Sequence, residues 1–170
     1  APELTLVGYR GERTPMLIFP KFAGNKPITT VGHKFKTNDD KFTDYSDLEI
    51  VIPEGYKEMQ FRAFSFHAGL KKITLPDSMV VIGQAAFDNS SLQEVRLGQK
   101  LTIIKEKTFA RSSLKSIIIP NSVKIICAYA FSSCKSLAHV VLGNKVEMIG
   151  SWSFANCENL KAITLPASLK

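Results

Sequence analysis

The chain has 170 residues, 22 Lys and Arg against 15 Asp and Glu for a formal charge of +7, three cysteines and an ordinary apolar share of 45%. That is enough for a single domain with a real core, and no run of 18 apolar residues is present to form a membrane-spanning helix. The charge is uneven: residues 1–88 hold 11 basic and 11 acidic side chains, whereas residues 89–170 hold 11 basic and 4 acidic.

Residues 1–46 read as a capping segment. Ala1 to Gly11 predicts an edge strand and turn, because the open end of a stacked array needs a cover. Met16 to Phe19, then Pro20, then Ile28 to Gly32 repeat in degenerate form a strand, a corner and a second aliphatic pair. Residues 36–46 read as an insertion.

From residue 47 to 170 the chain repeats every 22 or 23 residues, a period that means a stacked solenoid. Phenylalanines recur as Phe64, Phe87, Phe109, Phe131 and Phe154, and leucines as Leu70, Leu92, Leu114, Leu137 and Leu160. In each unit two apolar residues spaced by two, such as Ile73 and Leu75, point to one face of an extended segment. This predicts a short parallel strand. Proline or glycine closes it (Pro76, Gly98, Pro120, Gly143, Pro166), since proline offers no amide and glycine takes unusual dihedrals. A second aliphatic pair follows, and then a stretch ending in Ala-Phe that predicts a helical turn or a short extended arc. Burying one Leu or Phe is worth about 1.5–3 kcal/mol, so each unit offsets the ordering of its chain only when neighbours stack on both sides. The array stops partway through a further copy, which reads as part of a longer one.

These columns resemble the BspA-like, or Treponema pallidum-type, leucine-rich repeats, whose unit runs approximately L-x-x-I-x-L-P-x-x-V-x-x-I-G-x-x-A-F-x-x-C. LKSIIIPNSVKIICAYAFSSC from Leu114 to Cys134 fits nearly every column, and LAHVVLGNKVEMIGSWSFANC from Leu137 to Cys157 fits with Ser153 for alanine. Lys105 and Cys127 stand where glycine is usual. The resemblance implies an α/β-type leucine-rich-repeat solenoid: a right-handed superhelix with a parallel β-sheet and short helical or irregular convex turns. It also implies a secreted or cell-surface protein, adhesion or protein binding, and no catalysis.

Candidate surfaces follow from the columns left outward. On the strand face these include Lys72, Arg96, Ile118, His139 and Val141, a mixed face that becomes more apolar toward the C-terminal units. A second stripe is Val81, Ile103, Ile125 and Met148, which if outward is an exposed apolar strip of the kind that marks an interface, and if tilted inward is core. The basic excess, including Lys105, Lys107 and Arg111, is either a solvated lysine surface or an attractor for polyanions and glycans. Nucleic acid is disfavoured as a partner, because the aromatics are expected in core columns. Protein partners and association between copies remain the expected interactions, with no membrane insertion.

No cofactor or metal site is expected. Cys134 and Cys157 share a column one turn apart, about 5 Å by strand spacing, and two free thiols in an interior ladder are favoured over a disulfide. His33, His67 and His139 fall in different columns, so no catalytic arrangement is expected.

Overall fold

The computed structural model describes residues 4–9, 15–37 and 47–170. Its strands are β1 (Leu4–Tyr9), β2 (Met16–Ile18), β3 (Phe22–Ala23), β4 (Lys26–Thr37), β5 (Leu48–Val51), β6 (Glu58–Met59) and β7 (Leu70–Thr74). They continue as β8 (Val81–Ile82), β9 (Glu94–Arg96), β10 (Ile103–Ile104), β11 (Ser116–Ile118), β12 (Ile125–Ile126), β13 (His139–Val141) and β14 (Met148–Ile149). Each repeat is one coil of a parallel solenoid with two short strands, and its leucine names it below. The first coil uses β2 and β4, and β1 lies along β4 as a parallel edge strand. The insertion expected at 36–46 lies outside the described residues apart from 36 and 37, which finish β4.

Alternation places the strands. Ile50, Ile73 and Ile117 are buried between outward neighbours, in register as Leu17↔Ile50↔Ile73↔Val95 and Ile117↔Val140. At the first corner a proline of one coil meets a glycine of the next: a Cβ on Gly98 would overlap the Pro76 carbonyl oxygen, and one on Gly143 the Pro120 carbonyl oxygen. Polar side chains tie successive corners together. Glu54 accepts the amides of Asp77 (2.8 Å) and Ser78 (3.0 Å), Asp77 accepts that of Gln99 (3.2 Å), and Asn121 that of Asn144 (2.9 Å). The Asp77 amide, first among several donors, holds the Glu54 carboxyl below its ordinary value.

The stretch through each Ala-Phe is not helical, and the described residues contain no helix. Its amides alternate in destination. Phe64, Phe87, Phe109 and Phe131 donate to the next coil, at Ala86, Thr108, Ala130 and Ser153, over 2.7–2.8 Å, while the residues between bond three back, as Ala86 does to Gly83. An α-helix needs every amide for its own axis, so sending every second one sideways excludes it. What forms is a run of overlapping tight turns. Their left-handed residues fall at two fixed positions per coil: Arg62 and Phe66, Ala85 and Asn89, Lys107 and Arg111, Tyr129 and Ser133, Trp152 and Asn156, with φ of 54 to 61°. For residues bearing a Cβ such backbone costs about 1–3 kcal/mol each, offset by a coil-to-coil ladder independent of the strands.

Inside this arc the phenylalanines form one column. Phe64, Phe87, Phe109, Phe131 and Phe154 stack with ring centres 5.1–5.6 Å apart and planes within 9°, the offset arrangement aromatic pairs prefer. Leu70, Leu92, Leu114 and Leu137 are fully buried beside it. Phe35 extends the column into the first coil, tilted 48° against Phe64, and its amide bonds Ala63 (2.7 Å). Phe19 and Tyr56 close that end, the Tyr56 hydroxyl donating to the Pro20 carbonyl (2.8 Å).

Candidate functional site: the outer strand face

The outward positions of the first strands form two columns. Glu49, Lys72 and Glu94 lie side by side, and Ser116 and His139 continue them; Ile18, Val51, Thr74 and Arg96 form the second column, and Ile118 pairs with Val141 in it. Lys72 is bonded to Glu49 (3.2 Å). Arg96 donates to the Leu75 carbonyl (2.9 Å) and pairs with Asp77 (3.0 Å). Ile118 and Val141 are 70% and 57% exposed and adjacent, and Ile18 at the other end is 63% exposed, so an ion-paired middle lies between apolar ends.

The middle meets the Ile118 end at a gap in the sheet. β9 bonds β7 but not β11, and β11 bonds only β13. At the edge of this gap a backbone bond from Lys115 to Gln93 (3.2 Å) still joins the two coils. The Leu75 amide bonds Arg96 and the Ile119 amide bonds Val141, yet among the described residues the equivalent Leu97 amide has no acceptor. A depression of about 530 Å³ opens beside this missing rung, lined by Lys72, Glu94, Arg96, Leu97, Ser116 and Ile118 among others. Of the expected strand-face residues, Lys72, Arg96 and Ile118 therefore come together in one depression. His139 and Val141 lie on the next strand.

The second stripe faces outward. Ile103, Ile125 and Met148 pair in register on β10, β12 and β14 while Ile104, Ile126 and Ile149 point in. Met148 and Ile103 are 56% and 37% exposed, Val81 and Ile125 half-buried. Val81 is separated from the rest because β8 bonds β6 and not β10.

The expectation that aromatics sit in core columns is corrected by the arc. Phe61, Phe66, Tyr129 and Trp152 are exposed there, Trp152 by 67%. Tyr129 and Trp152 stand two residues before Phe131 and Phe154 of the ring column, a spacing that in a strand would turn them inward; left-handed backbone turns them out. The charge reading also changes. Lys107 pairs with Glu106 (3.2 Å) and Arg111 with Asp88 (2.6 Å), so two of the cations expected to attract polyanions already carry anionic partners.

Cys127, Cys134 and Cys157 are free thiols. Cys134 donates to the Phe109 carbonyl (3.0 Å) and Cys157 to that of Phe131 (3.2 Å), and burial pushes the Cys134 thiol up to about 12. His67 closes the same column, accepting the Leu70 amide (3.1 Å), with its pKa lowered by burial. His33 stacks on Phe61 and His139 lies on β13. Among the described residues no three His, Cys, Asp or Glu side chains gather as a metal site, and no helix is long and apolar enough to cross a membrane.

A family model described as a BspA type leucine rich repeat region matches residues 36–142 in six copies. No curated protein matches the chain. Similar solved structures include a leucine-rich repeat protein from Eubacterium ventriosum, 20% identical with a TM-score of 0.79, covering 97% of this chain and 43% of that one. A leucine rich cell surface protein from Faecalibacterium prausnitzii is 24% identical with a TM-score of 0.66, covering 86% and 46%. The leucine rich repeat protein of T. pallidum is 28% identical with a TM-score of 0.59, covering 89% and 59%. The chain thus spans about half the length of these relatives.

Proposed function

The chain belongs to the BspA-type leucine-rich repeat family, and from that premise we propose that it is a non-catalytic protein-recognition segment of a larger secreted or cell-surface protein. The partner docks on the outer strand face, an apolar contact on Ile118 and Val141 extending into the depression beside β9. The observation that carries this is the missing rung: an unused Leu97 amide beside Ser116, between an ion-paired rim and two exposed aliphatic side chains. A partner strand or loop finds there a backbone donor, a place for apolar side chains and fixed charges that set its orientation. That one similar structure is a cell surface protein supports the location.

Interferometry against immobilised extracellular-matrix and cell-surface proteins tests this. Saturable binding to at least one of them, weakened about tenfold or more by Ile118→Asp or Val141→Asp, is expected. Binding indifferent to both substitutions, or absent throughout, defeats it. A second reading, association between copies, rests on the exposed Met148 and Ile103 stripe; sedimentation at rising concentration separates the two, since only the second predicts growing mass abolished by Met148→Asp.

A further inference from the structure

The arc carries a surface that recognition on the strand face leaves unused. Its first left-handed position holds Lys107, Tyr129 and Trp152 on three consecutive coils, and its second holds Arg111, Ser133 and Asn156 on the same three. Two rails of side chains therefore run side by side along the stack. Tyr129 and Trp152 are 39% and 67% exposed, and among the described residues neither ring stacks on another aromatic. The Lys107 ammonium lies 5.6 Å from the Tyr129 ring centre.

Nothing inside the fold calls for these rings. Ala85 fills the same position one coil before Lys107, and asparagine, the residue that most readily takes left-handed backbone, fills the other rail at Asn89 and Asn156. A tyrosine and a tryptophan there hold large rings toward water, Tyr129 beneath the Lys107 ammonium and Trp152 by 67% of its surface. The left-handed backbone recurs in every coil, so what sets these coils apart is the exposed rings themselves, and they point outward, to a ligand. The platform is also rigid, because the Tyr129 and Ser133 amides bond the next coil at 3.0 and 2.7 Å.

Chemistry selects the ligand. Flat ring faces beside a rail of hydroxyl, amide and guanidinium groups match a sugar, which offers a C–H face to an aromatic and hydroxyls at its edge. The coil repeat, 5.1–5.3 Å between phenylalanine centres here, is about the advance of one residue in an extended β-linked glycan. A polyphosphate or sulfated chain needs uncompensated cations, and Lys107 and Arg111 are already paired with Glu106 and Asp88. We propose that the arc of the Leu92, Leu114 and Leu137 coils binds an uncharged polysaccharide, its sugar rings lying on Tyr129 and Trp152 and its hydroxyls bonded along the Arg111 to Asn156 rail.

Trp152 is the single tryptophan, so emission reports directly on this surface. Titration with hexasaccharides of β-1,4-linked glucose, mannose, xylose and N-acetylglucosamine is expected to give a saturable blue shift with at least one, at the same midpoint in low and high salt. Tyr129→Asn and Trp152→Asn suit the left-handed backbone and keep the fold; retardation in gels containing the matching polysaccharide is expected to weaken about tenfold or more in each. No shift with any hexasaccharide overturns the proposal. So does a shift produced only by heparin or oligothymidylate and erased by salt, or retardation unchanged in variants whose melting transition matches the parent.

Discussion

The arc and the two strand sheets run along the same stack, but only the arc is continuous. Its amides bond coil to coil from Phe35 to Ser133, while the sheets are interrupted on either side of the Leu92 coil: β9 bonds backward to β7 and β10 forward to β12. One coil is thus held to its predecessor by its first strand and to its successor by its second, with the phenylalanine arc spanning both junctions beside the bonds from Gln93 to Lys71 and from Lys115 to Gln93. The difference separates two tasks. Stability resides in the arc and its ring column, and the strands are left free to open a depression.

The comparison is broken hardest at the ring column. Phe109→Ala removes a buried ring stacked on both sides and is expected to cost about 3–5 kcal/mol in denaturant unfolding; half-buried Val95→Ala, beside the gap, costs clearly less. Should the two prove equal, the arc is not the spine. Next come the corners, where Gly98→Ala and Gly143→Ala force a methyl into a carbonyl of the coil before and cost about 1–3 kcal/mol each. Hydrogen exchange sharpens the comparison without substitution: Leu97 and Lys105, whose amides lack the acceptors used by Leu75 and Ile119 and by Gly83 and Cys127, are expected to exchange faster than those four. Equal protection closes the gap. Native thiol labelling is expected to reach Cys127 first, with Cys134 and Cys157 protected until unfolding, since both are buried and Cys134 is held at about 12.

The smallest effect concerns Asp88, on the arc. Burial, outweighing the attraction of Arg111, raises its carboxyl above the ordinary value. The folded chain therefore binds that proton more readily than the unfolded one, so the group lowers stability at neutral pH and the loss fades as pH falls through the folded-state value. Asp88→Asn is expected to be slightly more stable than the parent at neutral pH, with the gap closing on acidification; a gap that widens contradicts this.

The solenoid was legible because its core rests on residues two apart in the sequence. Ile73, Leu75 and their counterparts needed only alternation to be placed, and the phenylalanine and leucine columns only the period. The arc was not, because its geometry depends on amides leaving for a partner more than twenty residues away, as Phe87 does for Thr108; local spacing that suggests a helical turn cannot show it. The same blindness placed Tyr129 and Trp152 in the core. Phe35 was missed since it lies in the degenerate first coil, where the Ala-Phe signature is absent. On the strand face, spacing set Arg96 outward but could not reveal that its guanidinium is occupied by Asp77, which arrives from a corner of the preceding coil.

The alternation of amides in the arc also governs where such a chain tolerates a change of length. Adding one residue between Gly83 and Ser90 would exchange inward- and sideways-directed amides over the rest of that arc and unpair it from both neighbours. Past the arc the rule lapses: the step from Phe131 to Leu137 is one residue longer than that from Phe109 to Leu114, and both leucines are fully buried. Insertions and deletions in descendants of this sequence should therefore collect just ahead of the leucines, and duplication of a whole coil should restore every contact it interrupts.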